Sequence, residues 1–242
     1  MMAIVQDSSA PNPRFFSTMF LFSAAIMAVG ILAGAVMSGS GPRATSNPPF
    51  TEMIWVVSAT YFVWMGFAWK ASQLEAEGRV EKCAAACRAS LISAALIVPL
   101  VLATTISQYA QEVQPTIYSP ETWAALPLFG VALFGFLVFL AWYHSGNPAA
   151  SKRFMLIAAL SMTEPALSRL FPPTIPATYF MSAAAWLTII PLMVWDNKSD
   201  GEVHWATKAG AFMWALALYL RYTFWQTDAW QAFARSLFDL VQ

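Results

Sequence analysis

The chain has 242 residues, of which 58% are hydrophobic and only 11% charged. Its formal net charge is zero and its mean hydropathy is +0.55. A soluble domain carries roughly 25% charged residues, so most of the usual solvated surface is missing. The basic residues are scattered, which argues against a nucleic-acid partner. Two cysteines, Cys83 and Cys87, are too few for a disulfide framework.

Apolar stretches of about twenty residues, each long enough to cross a hydrocarbon core of about 30 Å, predict seven spans. They fall at 15–37, 53–72, 87–106, 122–142, 154–171, 177–195 and 205–225. The first is longer than a signal-peptide core and has no small-residue cleavage site, so it reads as retained. It carries Gly30 and Gly34, followed by Ser38, a small-residue stripe on which another helix can pack closely. That helix could belong to a partner or to the chain's own bundle.

The loops carry turn chemistry: Ser38-Gly39-Ser40-Gly41-Pro42 and Asn47-Pro48-Pro49 in the first, Pro115 and Pro120 in the third. Cys83 and Cys87 stand four apart on one helix face, a spacing suited neither to a disulfide nor to a zinc knuckle. Ser107, Gln108, Tyr109 and Gln111 form a polar rim after the third span. Gly146-Asn147-Pro148 closes the fourth loop, and Pro172-Pro173 with Pro176 marks a very short fifth.

Charge enters the spans at Glu164 and Arg169 in the fifth and Arg221 in the seventh. Ionised groups at membrane depth are functional candidates by default. Arg169 and Arg221 lie near span ends, where they can snorkel. Pro165 removes the helix donor for the Ser161 carbonyl. Glu164 and Arg169 diverge around their helix, so a cross-helix Glu164–Arg221 pair is sterically easier. Such a pair serves either as an ion site or as an ion pair fixing helix register. The structural reading is preferred, because a relay needs further carboxylates at depth.

His144 and His204 fall on the cytoplasmic side near Asp196, Asp200 and Glu202, but their spacing matches no ligand pattern. No metal site is expected, and no histidine lies mid-span to hold a haem. After Thr227-Asp228, a helix cap, Trp230, Phe233, Ala234, Leu237, Phe238 and Val241 recur at helical spacing. They predict an amphipathic helix over 228–241, anchored on the membrane surface through Trp230, Phe233, Leu237 and Phe238.

Lysine and arginine alternate between loops. Lys70, Arg79, Lys82, Arg88, Lys152, Arg153, Lys198 and Lys208 lie in even loops, against Arg43 alone in odd ones. This asymmetry predicts a cytoplasmic N-terminus and a periplasmic C-terminus. Trp55, Trp69, Trp123, Trp142, Trp195, Trp205 and Trp225 sit at span ends, as a headgroup-level aromatic belt requires. The fold class is therefore all-α: one polytopic seven-transmembrane-helix domain over 1–242 with a C-terminal interfacial helix.

The stretches Lys152-Arg153-Phe154-Met155-Leu156 through Pro165-Ala166-Leu167-Ser168-Arg169-Leu170, and Trp195-Asp196 through Gly201-Glu202-Val203-His204-Trp205-Ala206-Thr207, carry a resemblance. The chain resembles a widespread, largely uncharacterised group of bacterial seven-helix integral membrane proteins. Typical relatives carry histidines where this chain has Ser151, Cys87 and Val57, and only His204 matches its motif. The resemblance implies an inner-membrane protein that has lost most metal- or haem-binding groups.

No nucleophile–base set, phosphate loop or zinc motif is present. The leading expectation is a non-catalytic accessory subunit of a larger bacterial inner-membrane complex, respiratory or photosynthetic. Its partners would be other membrane subunits and lipids, with lipid, pigment or quinone contacts and no assigned cofactor. Alternatives are a b-type-haem electron-transfer protein and a small ion-coupled transporter using Glu164 and Arg221.

Overall fold

The structure, a computed structural model, describes residues 14–38, 51–111, 117–171 and 174–239. Among them the chain forms helices α1 (Phe15–Ser38), α2 (Glu52–Ala76), α3 (Val80–Ala110), α4 (Pro120–Tyr143) and α5 (Pro148–Ser161). There follow α6 (Glu164–Ser168), α7 (Ile175–Leu187), α8 (Ile190–Asp200), α9 (Trp205–Phe224) and α10 (Asp228–Asp239), and no strand occurs among the described residues. Phe15–Val36, Glu81–Ala110, Pro120–Tyr143 and the tandem pair over Ile175–Asp200 are long and apolar enough to cross a membrane. This is the architecture of an all-α membrane protein.

The helix boundaries follow local chemistry. Ser119 and Asn147 accept the Thr122 and Ala150 N–H groups at 3.2 Å, each with proline at the first helical position of α4 and α5. Gly201 ends α8 at φ +76°, a left-handed cap that suits glycine, and Gly78 turns α2 into α3 at φ +71°.

Two predicted spans are discontinuous. The fifth begins earlier than 154 and breaks after Ser161, where Pro165 cannot donate to the fourth residue before it. Thr163 Oγ1 donates instead to the Leu160 carbonyl at 2.6 Å. The sixth breaks at Thr188–Ile189 ahead of Pro191, and Thr188 Oγ1 donates to the Ala185 carbonyl at 2.6 Å. By contrast, Pro99 and Pro127 lie inside continuous helices.

Helix α5 is the central rod. Every residue from Arg153 to Ser161 is buried, as an element apolar all round requires. Ser23 of α1 donates to its Ala159 carbonyl at 2.9 Å and bonds the Tyr61 hydroxyl at 2.8 Å. Trp64 meets Tyr61 and Phe134 edge-on at 5.5 and 5.1 Å. A Cβ on Gly30 would lie 2.5 Å from the Cα, Cβ and carbonyl oxygen of Ala166. The small-residue surface at Gly30 is thus occupied by the chain's own α6.

Contacts define two ends of the bundle. Phe15 stacks on Trp195 at 5.1 Å, Lys152 pairs with Glu75 at 2.8 Å, and His144 meets Trp205 at 5.1 Å at one end. At the other, Tyr118 contacts Trp225 at 5.6 Å and Tyr109 stacks on Phe238 at 3.9 Å. Two placements differ from the sequence reading. Trp225 is buried among Tyr118, Tyr179 and Tyr222 rather than standing in a belt, whereas Trp55, Trp142 and Trp205 are exposed. Phe238 is not an outward anchor: it is buried against Tyr109, while Phe233 stays exposed. Helix α10 is fastened to its own chain, with Trp230 Nε1 donating to the Glu121 carbonyl at 2.8 Å. Val241 lies outside the described residues.

Candidate functional site

The break between α5 and α6 places Glu164 at the first turn of α6, opposite α7 and α9. Arg221 Nη2 donates to Glu164 Oε1 at 2.5 Å, to Ser182 Oγ at 2.7 Å and to the Tyr222 hydroxyl at 2.8 Å. Ser182 Oγ donates to the same carboxylate oxygen at 2.6 Å and also contacts the Tyr222 hydroxyl. The Tyr222 hydroxyl lies 3.2 Å from the Thr178 carbonyl, and Tyr118 bonds Thr178 Oγ1 at 2.5 Å. The Arg221 guanidinium also lies over the Tyr222 ring at 4.6 Å. Burial pushes the Tyr118 phenol above its ordinary range, partly offset by Thr178, so it remains a neutral hydrogen-bonding group.

Arg221 does not snorkel. It is 3% exposed and turned inward, because a carboxylate on the neighbouring helix outbids a distant water layer. Its bonding is nonetheless incomplete. The Nε–H is buried with no hydrogen-bond partner among the described residues, and Glu164 engages it through one oxygen only. Arg169 Nη1 donates to the Pro165 carbonyl at 2.8 Å.

This network forms part of the wall of a 230 Å³ cavity between the helices. Gln108 and Tyr118 line it toward the α10 end, with Tyr61 and Met162 deeper in the bundle. Much of the wall is apolar, including Met27, Ile31, Val101, Val131 and Met181. Among the described residues, its charged ones are Glu164, Arg169 and Arg221. Thr104 and Thr105 also line it, but both hydroxyls donate to their own helix, at the Leu100 and Val101 carbonyls. The strong polar groups therefore concentrate on the α6–α9 side.

A second ion pair occupies the opposite end. Arg153, read from sequence as a loop charge, is 2% exposed on α5. Its Nε donates to Asp196 Oδ1 at 2.9 Å with Nη2 2.7 Å from the same oxygen, its Nη1 donates to the Ala149 carbonyl at 2.7 Å, and its Nη2 donates to Asp200 at 3.2 Å. Asp196 Oδ2 accepts the His204 backbone N–H at 3.1 Å and the Thr207 hydroxyl at 2.6 Å. Every face of this pair is satisfied.

His204 belongs to that assembly as a helix cap: its Nδ1 accepts the Ala206 N–H at 3.1 Å. Burial, then the Arg153 charge, lowers its pKa below the ordinary imidazole value, against opposing carboxylates. His144 stacks on Phe154 at 5.9 Å and, like His204, packs on Trp205. No group of three metal-ligating side chains occurs among the described residues. Cys83 and Cys87 are free thiols 3.4 Å apart. Gln111 bonds Ser107 at 3.0 Å in the polar rim.

Sequence reasoning missed Arg153, Asp196 and Thr207 as one unit, and Ser182, Thr178 and Tyr222 as partners of Glu164. The signal for the first was an arginine directly preceding a wholly apolar run. No protein-family model matches the chain, and no curated protein or solved structure matches it.

Proposed function

We propose that the chain threads a bacterial inner membrane seven times, N-terminus cytoplasmic and C-terminus periplasmic, and works as a small carrier centred on Glu164 and Arg221. Four helices long and apolar enough to span, with α2, the α5–α6 pair and α9 packed beside them, support the count. Lysine and arginine alternation supports the orientation.

One observation carries the functional reading. The Glu164–Arg221 pair faces a 230 Å³ cavity at a helix break instead of being sealed in packing. Discontinuous helices with ionisable groups at the break are how membrane carriers build substrate and coupling-ion sites. Glu164 is the group to carry a coupling proton, and Arg221 the charge that responds to it.

An accessory-subunit role drew on the glycine stripe and the terminal helix, and Gly30 and α10 both pack against this chain's own helices. A haem-carrier role draws on histidine, and both histidines pack on Trp205 at the end away from the cavity.

The test uses proteoliposomes loaded with a pH-sensitive dye and challenged with small carboxylates, amines and alcohols. One class should move protons faster than in empty liposomes, and Glu164→Gln should abolish that flux while leaving the folded protein intact. Equal rates with and without protein for every probe refute the carrier. So does a Glu164→Gln protein that fails to accumulate while Glu164→Met/Arg221→Met accumulates, which assigns the pair to register alone.

A further inference from the structure

Outside the cavity, at the start of α3, we propose that Cys83 and Cys87 form a two-thiolate site for a soft monovalent cation such as Cu(I). The two residues stand about one turn apart on one helix face. Their sulfurs are 3.4 Å apart, within thiol–thiol hydrogen-bonding distance, and both thiols are free. Cys83 Sγ also donates to the Ala71 carbonyl at 3.5 Å. Cys87 is exposed and Cys83 half-buried, so an ion from solution can reach the pair. In the orientation proposed above this end faces the cytoplasm, where thiols stay reduced.

Distance selects a bridging ion over a disulfide. A disulfide needs its sulfurs at about 2.05 Å and its Cβ atoms within about 4.5 Å. Cβ atoms one turn apart on a helix are held about 5–6 Å apart, so that bond requires α3 to unwind. A single bridging atom asks for much less. At a metal–sulfur length of about 2.3 Å, one ion reaches both sulfurs at any separation up to about 4.6 Å. The observed 3.4 Å falls inside that range.

Ligand number selects the ion. No group of three His, Cys, Asp or Glu side chains able to hold a metal occurs among the described residues. Both histidines are packed on Trp205. Structural zinc is tetrahedral and catalytic zinc keeps three protein ligands, while calcium and magnesium surround themselves with oxygen. Two thiolates alone suit a soft cation that thiolate ligands favour. Binding breaks two S–H bonds, forms two metal–sulfur bonds and releases two protons to water, with no electron transferred. The product carries one net negative charge, and Lys82 and Arg88 directly flank the cysteines in sequence. Glu75, which acts electrostatically on Cys87, is already paired with Lys152 at 2.8 Å.

The test mixes full-length, reduced protein in lipid nanodiscs, without oxygen, with Cu(I) and a chromophoric Cu(I) chelator. The colour reports how much copper the chelator keeps. The protein should withdraw one copper per chain, and copper loading should shield both thiols from maleimide. Cys83→Ser and Cys87→Ser should each weaken that competition by at least roughly 100-fold, the upper range for losing an outer-shell partner alone. The double variant Cys87→Ser/Ala85→Cys keeps two thiols but sets them two residues apart, where they do not face each other. It should bind no better than Cys87→Ser. Wild-type protein that leaves all copper on the chelator overturns the site, and so does wild-type affinity in any of the three variants. Zn(II) held as tightly as Cu(I) overturns the soft-ion assignment. Proton flux enters none of these readings, so the carrier proposal stands or falls separately.

Discussion

Two arginine–carboxylate pairs stand at opposite ends of the bundle, and they differ in completion. At Arg153–Asp196 all three guanidinium nitrogens donate and both carboxylate oxygens accept. At Arg221–Glu164 one nitrogen makes three bonds, another makes none among the described residues, and Glu164 retains 15% side-chain exposure on a cavity wall. The same two functional groups thus serve different ends. A pair satisfied on every side has no capacity left for a ligand and acts as a clasp between α5, α8 and α9. The Glu164–Arg221 pair instead lines a cavity and is less completely bonded.

The largest effect should come from opening the clasp. Asp196→Ala leaves Arg153 buried without its counter-charge, which costs about 3–5 kcal/mol. Thermal melts in detergent should show the protein severely destabilised, and a near-wild-type melt would break the contrast between the two ends. Next is Gly30→Ala, whose Cβ would press on Ala166 backbone that cannot swing aside. It should lose about 1–3 kcal/mol, measured in the same assay.

Glu164→Gln keeps an acceptor for Ser182 and Arg221 and removes only charge. It should cost about 1–2 kcal/mol, clearly less than Asp196→Ala. Equal losses at the two ends would make both pairs structural.

Acid should weaken the clasp through His204, whose Nδ1 caps α9 only while unprotonated. Its folded pKa lies below the ordinary value of about 6.5, so the unfolded chain takes up the proton first. The stability it contributes is complete above that ordinary value and is lost as pH falls through the lower folded one. His204→Asn keeps a cap and should flatten this part of the pH–melting profile. An acid slope identical to wild type would remove His204 from the clasp. Smallest is Arg235→Ala on α10. Arg235 and Glu121 pair at 2.9 Å with the arginine 58% exposed, so the loss should stay under about 1 kcal/mol. A larger one would mean that α10 helps close the cavity end.

Sequence alone determined the solvent this chain prefers and its helical class, because apolar run length and charge scarcity are local quantities read against a membrane's thickness. It also marked the Ser161 carbonyl as losing its donor at Pro165, while still reading 154–171 as one span, and brought Glu164 and Arg221 together as possible partners, since proline geometry and the cost of isolated charge do not depend on the fold. Only tertiary structure decided that Arg153 is buried, that Trp225 and Phe238 face inward, and that Gly30 receives Ala166. Each of those outcomes depends on which neighbour occupies a helix face, and residues as far apart in sequence as Arg153 and Asp196 carry no local signal of meeting. The cavity is the strongest case: it is the space left where eight helices fail to fill the middle, and no single segment encodes it.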